Sequence, residues 1–257
     1  MIISHKNRYV FVEIPHTGSH SIAAELIQFY GGERILRKHA NLTQFEAQAS
    51  RDERAYFVFG TVRNPLDTAF TDYSKLQSDH RGQFTNPAML MRNGGHVTEQ
   101  HLLEFEFVNS QNGDFASFMR KFRNRTYHNW FLTGASRYQF VLRFENLASE
   151  FERLIATLGL ELARPLPHVN STKKKARNFE DVYPEDLRAF VVARYGPFLR
   201  KWGYDLPASW GGGVVPRLSL LKFWAVDSVA EIASRHMEID QNNKLLARLK
   251  RILDSIT

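Results

Sequence analysis

Three short apolar runs punctuate the chain, and each passes through a polar turn into a segment with helical spacing. Residues 9–14 (Tyr-Val-Phe-Val-Glu-Ile) are β-branched or aromatic and end at Pro15, which predicts a buried strand. Residues 15–21 (Pro-His-Thr-Gly-Ser-His-Ser) form a small, hydroxyl-rich loop. Residues 22–30 then carry apolar side chains at helical spacing, ended by Gly31-Gly32. Residues 55–62 predict a second strand that leads through Arg63 and Asn64 into a helix over 66–76, with Asn64 as cap and Pro65 in the first turn. Residues 138–144 predict a third strand, followed by Glu145-Asn146 and a helix through Leu158, closed by Gly159. Strands that alternate with helices imply an α/β fold with a central, mainly parallel sheet. Ligands in such folds lie at the carboxyl ends of the strands, where 15–21, Arg63 and Glu145 all fall.

The remaining segments are more polar. Residues 77–129 have weak periodicity and predict a helical insertion of the kind that shapes substrate pockets. A basic stretch, Ser-Thr-Lys-Lys-Lys-Ala-Arg, follows Asn170, and a helix is expected over 184–195. Gly211-Gly212-Gly213 reads as a hinge, and beyond it Leu245, Leu246, Leu249, Ile252, Leu253 and Ile256 share one helical face. The expected division is an α/β domain over 1–210, with its insertion at about 77–130, and a helical extension over 211–257. Three readings are open for that extension: a homodimer helix, a membrane-surface helix, or a layer on the domain.

Composition narrows the classes. At 257 residues, with 43% hydrophobic and 24% charged residues, the chain is globular rather than wholly disordered. It contains no cysteine, which excludes disulfides, thiolate zinc sites and a cysteine nucleophile, and fits a reducing compartment. No window approaches the roughly 18 uninterrupted apolar residues of a membrane span, and the first residues do not resemble a secretory signal, so a cytoplasmic location is expected. Lys and Arg number 34 against 27 Asp and Glu, a net charge of +7 that asks for an anionic partner.

The loop at 15–21 suits an anion. A turn from a strand into a helix presents backbone N–H groups and a positive dipole end, Gly18 allows close approach, and Thr17, Ser19 and Ser21 add hydroxyls. The chain has no Gly-Lys pair, which disfavours a kinase or ATPase of the usual triphosphate-binding type. Arg63 offers a planar fork for a phosphate, and Thr71 lies two helical turns further on. His16 and His20 stand four apart without a carboxylate to complete a metal set, and no metal site is expected.

These elements resemble the sulfotransferases that use 3'-phosphoadenosine 5'-phosphosulfate, closest to the carbohydrate-type and bacterial branch. Residues 15–21 are similar to that family's 5'-phosphosulfate loop, and Val62-Arg63-Asn64-Pro65 through Thr71-Asp72-Tyr73 to its 3'-phosphate motif. Phe140-Val-Leu-Arg-Phe-Glu-Asn-Leu147 and Leu166-Pro-His-Val-Asn-Ser171 resemble further family segments, and the likeness spans about 8–206. The resemblance implies a three-layer sandwich of the P-loop nucleotide-binding type, and in-line transfer of a sulfuryl group to a hydroxyl or amine of a small-molecule or carbohydrate acceptor. Adenosine 3',5'-bisphosphate is the product. It implies that His16, Thr17, Gly18, Ser19, His20 and Ser21 bind the phosphosulfate and that Arg63 and Thr71 bind the 3'-phosphate. Lys173, Lys174, Lys175 and Arg177 would close over the nucleotide.

Three positions depart from the family pattern: His16 stands in place of lysine, His20 in place of threonine or a similar residue, and Thr68 in place of arginine. Histidine titrates near ~6.5, so His16 either donates a proton to the leaving group or loses its charge at neutral pH. Arg37-Lys38-His39-Ala40 resembles a Lys-His element of bacterial members, which makes His39 the candidate base ahead of Glu145. A non-catalytic nucleotide or anion binder on the same fold is the alternative. Nucleic-acid binding has least support, because the basic residues are scattered and no base-reading motif occurs. Tyr73, Tyr127 and Trp130 are candidate aromatic walls for the acceptor.

Overall fold

A computed structural model describes residues 1–92, 97–167 and 179–236. It is an α/β protein built on a five-stranded mixed sheet. The strands are β1 (Ile2–Ser4), β2 (Tyr9–Val12), β3 (Glu33–Arg34), β4 (Phe57–Val62) and β5 (Phe140–Arg143), in the order β3-β1-β2-β4-β5. Strands β2, β4 and β5 run parallel, β5 at one edge of the sheet, with Val12 opposite Gly60 and Val62 opposite Arg143. The edge pair is antiparallel. The short strands β1 and β3, which pair although β2 and a helix lie between them in the chain, have no counterpart in the apolar pattern, because two or three residues are too few to show a period.

The chain groups into two compact units. The first comprises Met1–Asn64, His128–Lys174 and Leu221–Thr257 and holds the sheet. Every side chain of β2 is buried, as befits a strand paired on both edges and covered on both faces. Tyr9 and Phe11 pack with Phe59, Leu142, Ile22 and Leu26 of α1 (Ser19–Phe29), and Phe151, Leu154 and Ile155 of α7 (Leu147–Thr157). The Phe11 and Phe59 rings stack at 5.1 Å. This sequence-local alternation of apolar strand and apolar-striped helix is what positions the carboxyl ends of β2, β4 and β5 on one edge.

The second unit comprises Pro65–Tyr127 and Lys175–Leu220. Its core is helical: Leu66, Ala69, Tyr73 and Leu76 of α3 (Pro65–Gln77) pack with Phe118 and Met119 of α6 (Phe115–Phe122) and with Leu187, Val191 and Tyr195 of α8 (Glu185–Lys201). Here lie α4 (Pro87–Arg92) and α5 (Glu99–Asn109) as well. The helix expected over 184–195 runs on through Gly196-Pro197 to Lys201. Phe198 and Leu199 beyond the proline are buried, and that burial outweighs the local breaker.

From Leu221 onward, α9 (Arg217–His236) belongs with the sheet: Phe223, Val226 and Ala230 are buried, His128 Nε2 lies 3.0 Å from Asp227, and the Gly134 N–H donates to Glu231 at 2.8 Å. Arg137 bridges Glu46 and Glu231. The outer side of the same helix exposes Leu221, Trp224 and Ile232. No helix among the described residues is long and apolar enough to cross a membrane. The amphipathic stretch at 245–256 lies outside the described residues.

Candidate functional site

The edge formed by the carboxyl ends of β2, β4 and β5 gathers the loop at 15–21, Arg63 and the 144–147 turn. The loop enters α1 at Gly18, whose φ of 72° is the left-handed conformation that glycine adopts without cost. Glycine is needed there for a second reason: a Cβ at residue 18 would lie 2.6 Å from Leu147 and 3.3 Å from Phe144. The first turn of α1 has neither a side-chain cap nor an acidic residue of its own.

The loop side chains divide between interior and solvent. Thr17 is buried, and its hydroxyl donates to the Ile14 carbonyl at 2.8 Å and shares a short hydrogen bond with Thr61 of β4. That hydroxyl staples the loop to the sheet, so what Thr17 offers an anion is its backbone N–H. Ser19 and Ser21 are buried in the first turn, whereas His16 and His20 are exposed. His16 has φ 63°, an uncommon conformation for a residue with a side chain.

Arg63 is tied to this loop. One guanidinium nitrogen donates to the His16 carbonyl at 3.0 Å, and the guanidinium lies 4.3 Å above the Phe144 ring. Glu145 accepts from the Asn64 N–H at 2.7 Å, at the start of α3. That bond ties Glu145 to the turn that carries Arg63.

His39 sits next to the loop's origin. Its Nδ1 lies 2.7 Å from the carbonyl of Glu13, the residue that follows β2. A carbonyl oxygen only accepts, so Nδ1 carries the proton and Nε2 is left as the ring's basic nitrogen. Burial of the ring lowers its pKa below the ordinary 6.5, opposed by the Glu13 hydrogen bond and assisted by the Lys38 charge. His39 also has a positive φ, 65°. Both candidate catalytic histidines are thus held in strained backbone conformations, a feature associated with functional sites. Immediately after it, α2 (Leu42–Glu46) opens with a reciprocal capping box between Asn41 and Gln44 that anchors this turn. Replacing Asn41 by alanine is expected to cost about 1 kcal/mol of stability, measured by urea unfolding.

Phe131 also belongs to this neighbourhood: its ring meets the His39 imidazole edge-on, with centroids 6.1 Å apart. The expected walls Tyr73 and Tyr127 lie in the second unit, where Tyr73 is buried against Phe115 and Phe118 and Tyr127 stacks on Tyr195 at 4.9 Å. Thr71 is also in that unit, buried, with its hydroxyl donating to the Asp67 carbonyl at 2.8 Å. Lys173, Lys174, Lys175 and Arg177 lie outside the described residues. Among the described residues no group of three His, Asp or Glu side chains is placed to hold a metal ion. The Glu13 tether and Phe131 were missed in the sequence. A backbone carbonyl leaves no residue signature, and a lone phenylalanine in a His-Asn-Trp-Phe run carries no chemical one. Compared with protein-family models, characterised proteins and solved structures, the chain matches none.

Proposed function

We propose that this protein is a sulfotransferase that moves a sulfuryl group from 3'-phosphoadenosine 5'-phosphosulfate to an acceptor hydroxyl or amine, on a fold of the P-loop nucleotide-binding type. The observation that carries the reading is the convergence at one sheet edge of an uncapped helix N-terminus, an arginine fork and a tautomer-fixed histidine. The residues have distinct tasks in an in-line displacement. Backbone N–H groups of 17–21 hold the phosphosulfate oxygens, Arg63 takes the 3'-phosphate, and Nε2 of His39 accepts the acceptor proton as its oxygen attacks sulfur. The S–O bond to the nucleotide breaks in the same step, and protonated His16 neutralises the phosphate oxygen that departs. Lys173, Lys174, Lys175 and Arg177 would close over the nucleotide. A homodimer through the exposed face of α9 is part of the same proposal.

Adenosine 3',5'-bisphosphate at a hundred times its Kd is expected to raise the melting temperature by about 5–10 °C, read by scanning fluorimetry. Transfer of labelled sulfate to an acceptor then separates the enzyme from a non-catalytic binder, which would be stabilised without transfer. His16→Ala is expected to remove transfer, and His16→Lys to retain part of it; full activity in His16→Ala would exclude the protonated-donor role.

A further inference from the structure

The two sides of α9 carry different chemistry. On the inner side Phe223, Val226 and Ala230 are buried, and both acids of the helix are engaged there: Asp227 lies 3.0 Å from His128 Nε2, and Glu231 accepts the Gly134 N–H at 2.8 Å and lies 4.0 Å from the Arg137 guanidinium. On the outer side Leu221, Trp224 and Ile232 are 68%, 49% and 59% exposed, with Ala225 and Ser228 exposed between them and Lys222 at the margin. Leu221, Ala225, Ser228 and Ile232 are spaced by four, three and four residues, so they form one stripe along the helix, with the Trp224 indole beside it. The inner contacts fix the helix, and the apolar stripe therefore stays in water at a cost in hydration free energy.

From this division we infer that the outer face of α9 rests on an anionic lipid surface, with the helix lying in the plane of the headgroups. Charge selects that occupant first. Both carboxylates of α9 are used on the inner side, whereas Lys222 borders the stripe, and a lysine so placed keeps its stem among acyl chains and its ammonium at the headgroup phosphates. Trp224 suits the same boundary, because its ring is apolar and its N–H polar. The chain continues from α9 into residues 237–257, which lie outside the described residues; from 244 on their sequence holds Lys244, Arg248, Lys250 and Arg251 against the single acid Asp254, so the segment that follows the face adds positive charge. No helix among the described residues is long and apolar enough to cross a membrane, so α9 meets lipid from its side. The second copy proposed above for this face is the competitor. One occupant excludes the other, and a dimer in solution gives way to monomers on the lipid.

Sedimentation of the full chain with vesicles tests this without reference to sulfuryl transfer. One set of vesicles is phosphatidylcholine alone, the other phosphatidylcholine with an equal part of phosphatidylglycerol. The protein is expected to pellet with the anionic vesicles and to stay in the supernatant with the neutral ones, and its binding should fall as salt is raised. Trp224→Ser should weaken binding to the anionic vesicles about tenfold and Trp224→Phe should restore most of it, while Lys222→Glu should weaken binding and flatten its salt dependence. Val214→Ala, which trims an apolar, 88% exposed side chain elsewhere, should change nothing. Melting temperatures should match that of the unaltered protein, because the substituted side chains lie at the surface. Light scattering gives the oligomeric state before vesicles are added. A protein that stays in the supernatant with anionic vesicles, as monomer or dimer, overturns the lipid surface. Equal binding to neutral vesicles, or binding that ignores Trp224 and Lys222, overturns it too. Sulfate transfer is measured separately, so its failure leaves the lipid surface standing, and loss of vesicle binding leaves the sulfotransferase reading standing.

Discussion

His39→Ala should lower sulfuryl transfer by about 10²–10⁴-fold while adenosine 3',5'-bisphosphate binds with unchanged affinity. The side chain's hydrogen bond at the β2 end is to the Glu13 carbonyl, so its removal is expected to take away the proposed base and leave the Thr17 and Gly18 contacts of the loop in place. The pH profile supplies an independent reading. Burial, the largest cause, lowers the imidazole pKa from 6.5, so the neutral, basic form persists to lower pH than in a free histidine. The acid limb of kcat/KM is therefore expected below 6.5. Folding stability follows with the same sign. The unfolded chain takes up the proton first as pH falls through 6.5, so the stability contributed by neutral His39 is complete above that value and is lost toward the lower folded pKa. Transfer that survives in His39→Ala, or an acid limb above 6.5, would remove His39 as the base.

Gly18→Ala is the second large effect. The backbone at residue 18 is left-handed, and an added methyl group meets Leu147 and Phe144. Leu147 can swing aside at its far end, whereas the φ of 72° is imposed by the turn itself, so a cost of about 1–3 kcal/mol is expected in urea unfolding. The functional loss should be larger than the stability loss suggests. Phe144 is the ring on which the Arg63 guanidinium rests, and moving it shifts the arginine fork together with the loop. Calorimetry should show nucleotide affinity weakened about tenfold or more. Gly18→Asn, which tolerates the left-handed region better, should lose less. Unchanged nucleotide binding in a folded Gly18→Ala protein would contradict the loop's role.

Much of this site is legible in one dimension. Strand β4 ends at Val62 and α3 begins at Pro65, close to where the apolar run and the proline place them. Strand β2 stops at Val12 instead of Ile14, because Glu13 and Ile14 already turn toward the loop. Glu145 reads as an acid at a strand end and becomes informative only when the Asn64 N–H is found opposite it. Thr17 reads as a hydroxyl for a ligand, and packing against Thr61 turns it inward.

The periodicity of apolar residues and the placement of glycine and proline were enough to define the strand–turn–helix units and the turns at their carboxyl ends, since both act over a few neighbouring residues. The tautomer of His39, the seat of Arg63 on Phe144, the passage of α8 through Gly196-Pro197 and the Phe131 ring beside the imidazole came from the folded chain alone. Each depends on which groups meet across distances of tens of residues, and desolvation and hydrogen bonding between such groups have no local signature in the sequence.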